Sequence, residues 1–168
     1  MKNVEPAGTV RFTVNGAPAE VNVAAHDRLV DVLRGPLELT GAAIGCDTAV
    51  CGACTVLLDG RTVKSCTVLA VQAADTDVVT VEGLATPDSL HVLQAAFLRH
   101  GAVQCGYCTA GMLVAAVDLL TRYGASLDEA IIRDGICGNL CRCTGYRSII
   151  SAIAEAAAEM ADDDGSAR

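Results

Sequence analysis

The sequence predicts an α+β protein in two parts: a β-rich first half that includes one helix, and an all-α second half of four helices. Three observations lead there. Apolar and polar residues alternate along much of the first 81 residues, the period turns helical after Gly83, and nine cysteines gather in the stretches between periodic segments. The expected boundaries are residues 9–84 for the first domain and 85–161 for the second, with a flexible polar tail at 162–168. A chain of 168 residues, 52% of them apolar, can bury a real core, and that composition excludes disorder as the main state.

In the first half, Val10, Phe12 and Val14 alternate with polar residues, Asn15-Gly16 signals a hairpin turn, and Val21 and Val23 resume the alternation. From Asp27 the spacing of Leu29, Val32 and Leu33 makes one helical face, stopped by Gly35-Pro36. Residues 41–54 are rich in Gly and Cys, show no period and read as loop. Thr55-Val56-Leu57-Leu58 is a strand, Asp59-Gly60 a turn, residues 61–70 a second strand and residues 77–81 a last one.

In the second half, Asp88 is the expected cap of a helix carrying Leu90, Leu93, Phe97 and Leu98 and ending at Gly101. A second helix is expected over 110–123. Ser126-Leu127-Asp128-Glu129 has the capping-box pattern and opens a third, ending near Gly138; a fourth covers 147–160. Met112 to Val117 and Ile149 to Ile153 are apolar around much of the helix girth, so they must be covered by each other or by a partner chain.

A net charge of −8 argues against nucleic acid and against an anionic membrane surface, both of which select Lys and Arg. The longest uncharged stretch, residues 101–117, is too short and too polar to span a bilayer, so no membrane insertion is expected. Residues 1–10 lack the apolar core of a secretory signal, which points to a cytoplasmic protein. In that reducing compartment disulfides are rare, and nine thiols point to metal or redox chemistry.

The first cysteine group is Cys46-x4-Cys51-x2-Cys54-x11-Cys66, the spacing of a plant-type [2Fe–2S] site. Three thiolates come from one tight loop and the fourth from a neighbouring segment. Gly41, Gly45 and Gly52 let backbone pass close by and aim N–H groups at sulfur. A four-cysteine zinc knuckle normally shows two C-x2–4-C pairs, and here only Cys51 and Cys54 are so spaced. The second group is Cys105-x2-Cys108 followed, after 32 residues, by Cys141-x-Cys143. It suggests one more metal centre, buried between helices, with zinc still open on spacing alone. Cys108 and Cys143 stand before helix starts, where the helix dipole stabilises a thiolate. Cys137 could replace Cys141; Cys141 is preferred because Cys137 falls in the last turn of the third helix, where it reads as a small buried hydrophobe. His26, His91 and His100 show no paired spacing and read as surface or capping residues. Gln104, beside Cys105, reads as a loop hydrogen-bonding residue.

Three motifs taken together resemble a known family: Gly45-Cys46-Asp47-Thr48-Ala49-Val50-Cys51-Gly52-Ala53-Cys54-Thr55-Val56, then Gln104-Cys105-Gly106-Tyr107-Cys108-Thr109-Ala110-Gly111, then Gly138-Asn139-Leu140-Cys141-Arg142-Cys143-Thr144-Gly145-Tyr146. They are similar to the small iron–sulfur subunit of the molybdenum hydroxylases, the group of xanthine dehydrogenase, carbon monoxide dehydrogenase and the N-heteroaromatic oxidoreductases. The resemblance implies a plant-ferredoxin-like β-grasp domain followed by a four-helix domain, each with one [2Fe–2S] cluster. It implies a large partner subunit holding molybdopterin, as its cytosine dinucleotide, and a medium subunit holding FAD, assembled as a dimer of heterotrimers. It implies that this chain moves electrons while the large subunit hydroxylates substrate with water oxygen, and that no substrate-converting residue lies here. By motif match, Cys46, Cys51, Cys54 and Cys66 hold the cluster nearer FAD. Cys105, Cys108, Cys141 and Cys143 hold the one nearer molybdenum, and Gln104 and Cys143 lie against the pterin. The family often has proline where Ala110 stands, a change that touches helix initiation and not ligation. The alternative kept beside this reading is a free-standing two-cluster carrier or a zinc-stabilised interaction module. An aromatic N-heterocycle such as quinoline is the expected substrate.

Overall fold

The structure, a computed structural model, describes residues 8–86 and 88–166. The first seven residues, on which the reading of the N-terminus partly rests, and the last two of the expected tail lie outside that range.

Strands β1 (Gly8–Val14) and β2 (Ala17–Val23) form an antiparallel hairpin in which Val10 faces Val21. Asn15 and Gly16 turn it with φ of 51° and 78°, the left-handed pair that a tight hairpin demands. Three further strands complete one sheet, β3 (Thr55–Leu58), β4 (Arg61–Lys64) and β5 (Asp77–Val79), in the order β2-β1-β5-β3-β4. The β1–β5 pair is parallel and the others antiparallel, so the sheet is mixed, as expected for a ferredoxin-like domain. The short helix α1 (Leu29–Arg34) is part of the same core: Leu29, Val30 and Leu33 are fully buried with Phe12, Val23, Val56 and Val78.

The strand expected over 61–70 stops at Lys64. Ser65 turns inward, its N–H and its hydroxyl both donating to the Cys54 carbonyl at 3.2 and 2.7 Å. Residues Ser65–Thr67 therefore make a 3-10 turn that buries Cys66, and Val68 accepts from Leu29 N–H instead of extending the ladder. The last strand ends at Val79 because Thr80 N–H donates to the Asn15 side chain at 2.9 Å.

The second half contains α2 (Val92–Arg99), α3 (Thr109–Tyr123), α4 (Glu129–Gly135) and α5 (Arg147–Ser166). Asp88 does not cap α2. His91 does: its Nδ1 accepts from Leu93 N–H at 3.2 Å while Gln94 accepts from His91 N–H at 2.9 Å. Leu90 and Leu98, expected on the buried face, are exposed. Asp128, not Ser126, caps α4, accepting from Ile131 N–H at 2.8 Å, and the helix ends at Gly135, before Cys137. Helix α5 runs on through residues 162–166 of the expected tail.

Leu93, Phe97, Met112, Leu119, Ile132, Ile136, Ile149 and Ile153 form the helical core. Helix α3 lies between that core and strand β3, with every residue from Gly111 to Ala116 buried. The apolar girth that the sequence left for either helices or a partner to cover is thus closed within the chain. Asp118, on the sheet side of α3, is buried and held by Arg122 Nη2 at 2.8 Å. Among the described residues, no helix is long and apolar enough to cross a membrane.

Candidate functional site: two cysteine groups at the junction of the halves

Three thiols of the first group, Cys46, Cys51 and Cys54, hang on the coil between α1 and β3, with Cys66 in the turn after β4, and side chains from the sheet half pin that coil at intervals. Arg34 donates to the carbonyls of Thr40 and Ala42 at 2.6 and 3.0 Å. Glu82 accepts from Gly41 N–H at 2.7 Å, and Arg28 bridges Asp31 on α1 and Asp47, next to Cys46. Asp47, Ala49 and Gly52 take φ of 62°, 60° and 75°, a coiling that turns backbone donors inward. Thr48 and Cys51 N–H groups point at Cys46 Sγ at 3.4 and 3.3 Å. The Thr48 hydroxyl, then these two amides, hold the Cys46 thiol down at about 6, so it ionises readily. Cys54 and Cys66 are buried side by side, and burial pushes Cys54 up.

The second group sits on two short loops. Cys105 and Cys108 precede α3, with Cys108 at its N-cap; Cys141 and Cys143 precede α5. Cys105 meets Cys143, and Cys108 meets Cys141. Cys105 is lowered, first by the Tyr107 N–H and then by Cys143. Burial pushes Cys108 up to about 12, outweighing its place at the helix start. Burial opposes ionisation of Cys141 too, yet the Thr144 hydroxyl and N–H, 3.2 and 3.4 Å from its sulfur, bring it below the ordinary thiol value. The sequence placed this group deep between helices. In the chain Cys105 and Cys143 are exposed, because Met112, Leu119 and Ile153 fill the helical interior and leave the thiols at the helix ends. Cys137 is exposed on the turn after α4, not buried as the sequence suggested. Gln104 is exposed beside Cys105. Of the histidines, His91 caps α2 and His100 pairs with Glu155 on α5.

The donor sets can be tested against the group that their spacing implies. Among the described residues, no three His, Cys, Asp or Glu side chains surround one point closely enough for a single metal ion. The eight thiols stand instead as four pairs: Cys46 with Cys51, Cys54 with Cys66, Cys105 with Cys143, and Cys108 with Cys141. A structural zinc ion wants four ligands converging on one centre, whereas a two-iron, two-sulfide rhomb wants two thiolates at each end. The paired arrangement fits a [2Fe–2S] group in each loop system.

The two systems touch. A cavity of about 240 Å³ lies between them, lined by Cys51, Cys105, Cys108, Tyr107 and Leu140 among others, and the Tyr107 hydroxyl reaches across to the Ile44 carbonyl at 2.7 Å. Leu140 N–H donates to the Cys51 carbonyl at 2.8 Å. Asn139, almost wholly buried, donates to the Gly52 carbonyl at 3.0 Å and to Thr55 Oγ1 at 3.1 Å. Lys64 Nζ donates to Thr55 Oγ1 and Asn139 Oδ1 at 2.8 and 3.0 Å. Sequence reasoning did not single out Lys64 or the roles of Thr55 and Asn139. Their one signal was position: each lies within two residues of a cysteine in one of the groups.

Residues 12–85 match the 2Fe-2S iron-sulfur cluster binding domain family, and residues 80–154 match the [2Fe-2S] binding domain family. The chain is 46% identical over 143 residues to the beta subunit of the 6-hydroxypseudooxynicotine dehydrogenase complex of Paenarthrobacter nicotinovorans, covering 85% of this chain and 89% of that one. It is 45% identical over 152 residues to the nicotine 6-hydroxylase small subunit of the same organism, covering 90% and 91%. Among solved structures, a chain of quinoline 2-oxidoreductase from Pseudomonas putida 86 superposes with a TM-score of 0.88 at 46% identity, over 92% of this chain and 96% of that one.

Proposed function

The chain belongs to the iron–sulfur electron-transfer subunits of the molybdenum hydroxylases, and from that premise we propose that it carries electrons from a molybdopterin on a large partner subunit to FAD on a medium one, during hydroxylation of substrate with oxygen from water. The observation that carries the proposal is the arrangement of eight thiols as four pairs in two loop systems that touch. When bound, each [2Fe–2S] group takes up and gives back one electron.

The chain's own residues do the rest. Cys46, Cys51, Cys54 and Cys66 hold the group in the sheet half; Cys105, Cys108, Cys141 and Cys143 hold the one in the helical half. The amides of Thr48 and Cys51 and both donors of Thr144 stabilise thiolate charge without adding a cation. The Leu140 amide and Cys51 carbonyl join the two holders through one hydrogen bond. Tyr107, tied to Ile44, lines the space between them and bridges the two loop systems. Exposure of Cys105, Cys143 and Gln104 leaves that end open to another surface, which supports Gln104 and Cys143 as the residues against the pterin.

The partners are a large molybdenum subunit and a medium FAD subunit, in a dimer of heterotrimers in the cytoplasm. The relatives named for nicotine and quinoline chemistry match almost end to end as separate chains, which supports an aromatic N-heterocycle as the substrate of the complex. The test is to purify the chain with its co-expressed partners and mix it rapidly with N-heteroaromatic substrates. Gln104→Ala is expected to slow cluster reduction by substrate several-fold and to leave reoxidation through the flavin unchanged. Tightly bound zinc without labile sulfide would overturn the cluster reading. Slowing of the flavin step alone would overturn the direction of flow. Reduction by aldehydes or carbon monoxide and not by heterocycles would replace the substrate class.

A further inference from the structure

We propose that Lys64 is a positioning residue that fixes a positive charge beside the Cys54/Cys66 thiol pair and so biases an electron shared between the two clusters toward the one in the sheet half. The inference rests on the reading above that both cysteine groups hold [2Fe–2S] clusters.

The placement of Lys64 follows from strand register. It is the last residue of β4 and pairs across the ladder with Thr55, the first residue of β3. That register sets it opposite the residue after Cys54 and two residues before Cys66. Its ammonium is half-buried and held at two points, by Thr55 Oγ1 at 2.8 Å and Asn139 Oδ1 at 3.0 Å. Both partners are themselves fixed. Thr55 Oγ1 donates to the Gly52 carbonyl at 2.6 Å, and the Asn139 amide donates to that carbonyl and to Thr55. With Thr55 and Asn139 each only 2% exposed, the ammonium cannot swing to solvent without stranding buried polar atoms.

Both partners are neutral, and that is the unusual feature. None of the ion pairs among the described residues includes Lys64. A buried charge is ordinarily paired. The negative charge within reach of this one is that of cysteine thiolates, Cys54 and Cys51 first, then Cys137 and Cys66; burial outweighs them and holds the ammonium below the ordinary lysine value. A cluster gains a unit of negative charge on reduction, so a fixed cation beside it favours the reduced form. Lys64 stands across the ladder from Thr55, the residue after Cys54, and two residues before Cys66, whereas its hydrogen bond to the helical half goes to Asn139, two residues before Cys141. The bias therefore has a direction. As one electron passes, the helical-half cluster is oxidised and the sheet-half cluster reduced, with no bond made and no proton moved, and Lys64 tilts that exchange forward.

The test is a redox titration of the full chain carrying its clusters, followed by the two electron-spin signals, for wild type, Lys64→Met and Lys64→Arg. Lys64→Met is expected to keep iron and labile sulfide at wild-type content. It should shift the partition of one electron about tenfold toward the helical-half cluster, about 59 mV for a one-electron couple. Lys64→Arg, which keeps the charge, should restore most of that shift. A partition unchanged in Lys64→Met, with only the unfolding temperature lowered, overturns the proposal, as does an equal shift of both potentials. If Lys64→Met loses the sheet-half cluster, Lys64→Gln retains donors for Thr55 and Asn139 without the charge and should show the same shift; loss of the cluster there too assigns Lys64 to assembly and overturns the proposal. Wild-type chain lacking labile sulfide would instead count against the function proposed above, so the two failures are told apart.

Discussion

The two halves present the same four-thiol donor set on opposite kinds of support. In the sheet half, three of the four cysteines lie on one coil that Arg28, Arg34 and Glu82 staple to the domain, and one thiol pair, Cys54 and Cys66, is buried. In the helical half the cysteines lie on two short loops that run into helices α3 and α5, and one pair, Cys105 and Cys143, is exposed. The sheet site buries half of its thiols under its own chain and keeps the other two partly covered, whereas the helical site presents half of its thiols to whatever stands next to it. The proposed direction of electron flow uses that difference. In that proposal the open end takes electrons from a partner's cofactor, and the sheet-half end holds a potential that a fixed neighbour such as Lys64 sets.

Removal of one thiol from each site tests the comparison most severely. Two [2Fe–2S]-binding domains imply four irons and four labile sulfides per chain. Cys54→Ser and Cys105→Ser are each expected to lose about half of them. Cys54→Ser should in addition destabilise the sheet half by about 1–3 kcal/mol, since a hydroxyl enters a position only 2% exposed. Cys105→Ser should leave the apo fold nearly unchanged. Iron and sulfide assays with thermal unfolding would show both. Loss of both clusters from Cys105→Ser would mean that the sheet site is not self-supporting.

The loop glycines give the next largest contrast. Gly52 has φ of +75° and a Cβ there would collide with the Gly138 carbonyl and Asn139, so both backbone and contact forbid a side chain. Gly106 has φ of +82° but open space around it. Gly52→Ala should therefore cost on the order of 3 kcal/mol, combining overpacking with backbone strain. Gly106→Ala should cost about 1 kcal/mol from strain alone. Equal losses in denaturant unfolding would show that the two cysteine loops are not packed against each other through Gly52.

The sequence made the periodic parts of both halves readable: the hairpin through its Asn15-Gly16 turn, α1 through its apolar face, and α3 almost to the residue. It misled where a side chain competes with the ladder or the helix. Ser65 bonding the Cys54 carbonyl ends β4 six residues early, and His91 takes the capping role that Asp88 would ordinarily have. The cysteines themselves stood out by spacing. The pairing of thiols, the exposure of Cys105 and Cys143, and the Lys64–Thr55–Asn139 network were illegible, because each depends on residues from the two halves or from distant loops meeting in space. Asn139 and Thr55 are 84 residues apart, and nothing local to either announces the contact.

A smaller effect should separate the halves by pH. Neutral His91 caps α2 through Nδ1, and burial holds its value below the ordinary 6.5. With the folded value lowered, the unfolded chain takes up a proton first. The cap's contribution is then complete above pH about 6.5 and fades as pH falls through the lowered folded value. His91→Asn keeps a capping acceptor that does not titrate, so unfolding of the helical half should lose part of its acid sensitivity, on the order of one cap, about 1 kcal/mol. A pH profile identical to wild type would show that Nδ1 is not the acceptor that matters.

The smallest effect is expected at the ninth cysteine. Cys137 follows α4 in an exposed turn, and its own amide is satisfied by the Asp134 carbonyl at 3.2 Å whatever the side chain. The thiol that meets Cys108 is that of Cys141, four residues on, whose backbone N–H is anchored by the Tyr146 hydroxyl at 2.8 Å. Tyr146 in turn donates to the Asn139 carbonyl, so the Cys141 loop keeps its shape without help from position 137. Cys137→Ser replaces a small thiol by a small hydroxyl in contact with water, which should change stability by less than about 0.5 kcal/mol. Iron and labile sulfide should stay at wild-type content. The same substitution at Cys141 should empty the helical site and leave the sheet site filled. If Cys137→Ser rather than Cys141→Ser empties the helical site, the pairing of Cys108 with Cys141 is not the one that holds the cluster, and the helical half rearranges its last loop when it binds iron.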